Sequence, residues 1–136
     1  MAEIYLENPD YENGHMHFIG HDDAESVLPH AAKIITELLN KWNTDVAFIS
    51  LTSRSEALKA LVKNESKVAR LYTMDQKNAE PSVILRKARG MVNRRFVRAI
   101  VLEGVSFNPG TIDLWYKHFR RWSKTHEIII GVSDDG

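Results

Sequence analysis

The chain has no cysteine, so no disulfide framework or thiol-ligated metal can stabilise it, and a reducing cytosol suits it. No apolar run is longer than a strand, which leaves no segment able to span a bilayer, and no signal-peptide pattern is present. No internal repeat, low-complexity tract or linker interrupts it. A cytoplasmic protein with no membrane partner is expected. Positive charge is missing from the start of the chain: residues 1–30 contain no Lys or Arg but seven acids, Glu3, Glu7, Asp10, Glu12, Asp22, Asp23 and Glu25. Residues 86–124 reverse this, with ten Lys/Arg against Glu103 and Asp113, although the whole chain is formally neutral. Such asymmetry suits a self-contact, a partner surface or a nucleic-acid face, and equally the wet sides of amphipathic helices.

What is present is material for one core. With 136 residues, 43% apolar and 26% charged, the sequence predicts a single α/β domain over residues 1–136. Ala2–Leu6 reads as a short strand or arm. Asn8–Gly14 is dense in turn formers, and His15–Gly20 reads as a strand. Asp22-Asp23-Ala24-Glu25 offers an acidic N-cap for a helix. Its inward stripe is Val27, Leu28, Ala31, Ile34, Ile35, Leu38, Leu39 and Trp42, with Pro29 expected in the first turn.

Val46–Leu51 follows as a buried strand, and Thr52–Glu56 opens a helix with Ala57, Leu58, Leu61 and Val62 inside. Val68–Met74 is expected as a strand, and Ser82 to about Arg95 as a helix despite Gly90. Phe96–Val105 is a continuous apolar strand ending in Glu103-Gly104. After Asn108-Pro109-Gly110, a helix over 112–124 carries Ile112, Trp115, Tyr116, Phe119 and Trp122 as core. Glu127–Val132 is the last strand. Strands alternating with helices predict a three-layer sandwich around a mainly parallel five-stranded sheet.

In such sheets ligands bind outside the carboxyl ends of the strands, which makes Glu103 a possible ligand-site acid. The loop Gly20–Ser26 lies between a strand and a helix, where G-x-x-x-x-G-K-[ST] would cradle phosphate. Only Gly20 fits. Glu25, Ser26 and Val27 replace the second glycine, the lysine and the hydroxyl, and the acids would repel phosphate.

The pattern nevertheless resembles the RecA/KaiC-like ATPase core over roughly residues 15–136. The residues that carry it are His17-Phe-Ile-Gly20 before a long helix, Val46–Thr52 with Arg54, and Ala99-Ile-Val-Leu-Glu103. The resemblance implies a RecA-like fold, or a flavodoxin-like one as the alternative order, with Glu103 standing where an Asp would hold magnesium. It also implies a degenerate phosphate loop, no cofactor and no catalytic residue. Relatives of that kind act as assembly or regulatory partners, so a protein partner or homo-oligomerisation is expected.

Two other readings remain open. His15 and His17 share one face of a strand, and with Asp22 or Asp23 they could ligate a metal for hydrolysis. His118 and His126 are isolated and expected at the surface. The basic set Arg86, Lys87, Arg89, Arg94, Arg95, Lys117, Arg120, Arg121 and Lys124 lies off the apolar stripes of two helices. If those helices share a sheet face, the basic sides merge and suit nucleic acid or an acidic partner. Ser/His/Asp chemistry finds no support: there is no G-x-S-x-G elbow, and neither Ser50 nor Ser106 has an identifiable base.

Overall fold

The computed structural model describes residues 4–7, 16–95, 97–106 and 108–133. The strands are β1 (Ile4–Glu7), β2 (Met16–His21), β3 (Val46–Ser50), β4 (Leu71–Asp75), β5 (Ala99–Ser106) and β6 (Glu127–Ser133). The helices are α1 (Ala24–Asn40), α2 (Ser55–Leu61), α3 (Pro81–Arg95) and α4 (Pro109–Phe119), and a 3-10 turn covers Trp122–Lys124. They form one sheet in the order β1-β2-β6-β5-β3-β4. Strands β2 to β6 are parallel, and β1 adds an antiparallel edge to β2.

The three-layer α/β sandwich is as the alternation predicted. Helices α3 and α4 cover one face, where Ile84, Ala88, Val92, Trp115 and Phe119 pack on Ala47, Ile49, Ile100 and Leu102. Helices α1 and α2 cover the other, where Leu28, Ala31, Ile35, Leu39 and Leu58 pack on Val46, Phe48, Ala99 and Val101. Alternate residues of each central strand therefore feed opposite cores, and the strands read as unbroken apolar runs. The strand order is not flavodoxin-like. In that order the first parallel strand lies between the second and third. Here β2 pairs with β6, the last parallel strand.

Several local expectations need correcting. Pro29 is inside α1, beyond its first turn; α1 starts at Ala24, so the missing amide is the one that would bond the Glu25 carbonyl. Trp42 is not core: α1 ends before it, and it is 65% exposed. Leu61 and Val68 are also exposed, because α2 is short and β4 starts only at Leu71. The helix expected over 112–124 ends at Phe119, leaving Arg120 and Arg121 in the link to the 3-10 turn and Lys124 inside it. Phe96 lies outside the described residues.

Candidate functional site

Helix α2 follows β3 on one sheet face, whereas α4 follows its neighbour β5 on the other. The carboxyl ends of β3 and β5 therefore flank a topological switch point, where the loops part and a crevice opens. Glu103 and Ser50 are register partners there. By alternation both point to the α1/α2 side, since Val101 and Phe48 do.

A register shift between Glu103 and Val105 then changes the parity of β5. Leu102 and Val105, three positions apart, both enter the α3/α4 core. Gly104 makes this bulge possible with φ 105°, a conformation open to glycine. An added Cβ there would meet Leu51 Cβ at 2.9 Å.

The crevice is filled by the chain's own side chains. Glu103 is fully buried. Ser50 Oγ donates to Glu103 Oε2 at 2.7 Å, and Thr52 Oγ1 donates to the two carboxylate oxygens at 2.9 and 2.8 Å. Ser50 Oγ in turn accepts the Arg54 amide at 2.8 Å and the Thr52 amide at 3.3 Å. Backbone donors thus polarise a hydroxyl that is aimed at the acid. No Lys or Arg forms an ion pair with Glu103 among the described residues.

The sequence alone offers Glu103 as a ligand-site acid. Its partners are two hydroxyls, about fifty positions earlier in the chain. Ser50 does have an acid partner, against the expectation, but it is buried and no imidazole mediates the contact. Arg54 Nη1 and Ser133 Oγ, following β3 and ending β6, are buried without partners among the described residues.

The other sequence-predicted groups do not converge on Glu103. The stretch Gly20–Ser26 is the end of β2, a two-residue link and the start of α1, and β2 is two strands from β5, on the order of 10 Å across the sheet. Within it Asp23 caps α1, accepting the Ser26 amide at 2.8 Å. That hydrogen bond, chiefly, holds the exposed Asp23 carboxyl below its ordinary range. This is a helix start capped by its own acid.

The metal constellation is split. His17 lies 3.6 Å from Glu127, near the start of β2, while Asp22 follows the other end of that strand, roughly 15 Å away along its length. His15 is outside the described residues. The imidazoles that do meet are His21 and His30, with Nε2 and Nδ1 3.0 Å apart. No group of three potential ligands forms among the described residues.

The basic helices do meet. α3 and α4 are neighbours on one face, and Arg86, Lys87, Arg89, Lys117, Arg120 and Arg121 are exposed. Lys87 bonds Gln76 at 2.8 Å and Lys117 lies 3.4 Å from Asp113, while Arg86, Arg89, Arg120 and Arg121 form no ion pair among the described residues. The side chains of Arg94 and Arg95 lie outside the described set. No helix among the described residues is long and apolar enough to cross a membrane.

No family model matches the chain and no curated protein matches it. Among solved structures it is similar to the crystal structure of SulA from Pseudomonas aeruginosa, with a TM-score of 0.52 and 11% identity. The match covers 88% of this chain and 98% of SulA. At that identity the likeness is one of fold.

Proposed function

We propose that this chain is a non-catalytic regulatory or assembly module, with a degenerate RecA-like fold, that binds a protein partner or itself. The supporting observation is the state of the switch point. Glu103, in the position where chemistry would be expected, is buried under Ser50 and Thr52. The loop after β2, two strands away, spends Asp23 on its own helix. An acid engaged in this way serves packing, and the surface is left to carry recognition.

The reading expects no hydrolysis of Mg-ATP by purified chain. Measured turnover that disappears in Glu103→Gln would overturn it, as would Mg-ATP stabilisation that Glu103→Gln abolishes. Light scattering over a range of concentrations separates self-association from a foreign partner.

A second reading, nucleic-acid binding, is favoured by the exposed basic residues of the neighbouring helices α3 and α4 and of the link after α4. Removing one side chain that neutralises a phosphate should lower the salt slope by about one. The double charge reversal Arg120→Glu/Arg121→Glu is then expected to weaken binding of a short duplex at least about tenfold and flatten the log–log salt slope by roughly two. Binding undetectable at low salt would eliminate this alternative.

A further inference from the structure

At the amino-terminal end of the sheet, away from Glu103, lies a cavity of about 360 Å³. Leu38 and Trp42 form one side, and Arg98, Lys124, His126 and Glu127 contribute the polar lining. Three chain segments build it: the end of α1, the residue before β5, and the passage from the 3-10 turn into β6. Their backbones are tied together. The Arg98 amide donates to the Asp45 carbonyl at 3.2 Å, and the Glu127 amide donates to the Arg98 carbonyl at 3.0 Å. The His126 amide donates to the Trp122 carbonyl at 2.8 Å.

The charges in this cavity are unequal. Glu127 is the one carboxylate of the lining and lies 3.6 Å from His17, against the two cations Arg98 and Lys124. Arg98 and Lys124 have no ion-pair partner among the described residues. Burial, reinforced by the nearby Arg98 charge, holds the His126 imidazole below its ordinary pKa. Beside these groups stands an indole 65% exposed, whereas the other described Phe, Tyr and Trp side chains from β2 onward are buried or half-buried.

We propose that this cavity binds a flat aromatic ligand bearing one carboxylate or phosphate. The ring would lie against Trp42 and Leu38, and the anion between Arg98 and Lys124. A guanidinium fork accepts either anion with matched geometry. The volume is at the lower end of ligand-sized cavities, which suits one or two fused rings. The inference does not rest on the proposed function, because the cavity is at the opposite end of the sheet from the switch point.

The test is calorimetric titration of the full chain with 1-naphthoate and with 1-naphthyl phosphate. At least one should bind with Kd on the order of 0.1 mM. Naphthalene-1-methanol, which lacks the anion, and inorganic phosphate, which lacks the ring, should each bind at least about tenfold more weakly. The preference between the two aromatic anions identifies the acid. Arg98→Ala/Lys124→Ala should weaken binding at least about tenfold, and so should Trp42→Ala. These side chains are exposed, so circular dichroism should show the fold retained. No binding of either anion at millimolar concentration overturns the proposal. Binding that is unchanged in the Arg98/Lys124 variant or in Trp42→Ala also overturns it.

Discussion

Glu103→Ala should cost about 2–4 kcal/mol of folding stability, read as a fall in the urea midpoint at unchanged slope. The carboxylate accepts from Ser50 and Thr52 at 2.7–2.9 Å in a fully buried position. Truncation removes the closest acceptor of the Ser50 hydroxyl proton, leaving only Thr52 Oγ1 at 3.3 Å, and opens a void beside it. The hydroxyl cannot simply turn away, because its lone pairs already accept the Arg54 and Thr52 amides.

Glu103→Gln should be milder, at about half that cost. Its carbonyl keeps one hydroxyl bond, but its amide group faces donors where the second oxygen accepted. Because Thr52 shares the network, Glu103→Ala and Thr52→Val should be non-additive by about 1 kcal/mol in a double-mutant cycle. A loss under about 0.5 kcal/mol for Glu103→Ala, or strict additivity with Thr52→Val, would mean that the acid is not a structural keystone of the crevice. The reading of Glu103 as a packed acid would then fail.

Particular residues decide which elements are legible in the sequence. Val46–Ser50, Ala99–Leu102 and Ile128–Val132 announce themselves, because a strand buried on both faces must be apolar throughout. Asn108 announces its helix too, since its side chain accepts the Gly110 and Thr111 amides. Helix ends are harder. Trp42 continues the three-and-four spacing of α1, yet the helix stops before it, and periodicity alone cannot say where the last turn unwinds. The 112–124 pattern fails in the same way, where a 3-10 turn extends the aromatic spacing past Phe119.

Strand order is the larger gap. The crossover through α1 passes over two strands before it reaches β3, and no local signal encodes that distance. The role of Glu103 depends on it, because only the β3–β5 pairing brings Ser50 and Thr52 to the acid. His126 and Arg98 look isolated in the sequence for the same reason: their meeting point is made by three separated segments.

Gly131 gives the second large effect, and nothing in the sequence singles it out from a strand of small and branched residues. It lies on the α1 side of β6, between Ile19 of β2 and Glu103 of β5. A Cβ there would stand 2.5 Å from Val27 Cγ1 and 3.2 Å from the Leu102 carbonyl oxygen. Val27 cannot easily move aside. It is buried, and a β-branched side chain in a helix has one strongly preferred rotamer.

Gly131→Ala should therefore cost about 1–3 kcal/mol by overpacking, again read from the urea midpoint. Val27→Ala alone should cost about 1–2 kcal/mol through the cavity it leaves. Together the two should cost at least about 1 kcal/mol less than their sum, because the methyl added at 131 fills space vacated at 27. Additive losses would place the strain elsewhere, on the Leu102 carbonyl side. Coupling would establish that α1 rests directly on the backbone of β6. That close seat holds the start of α1, with its Asp23 cap, down on the sheet.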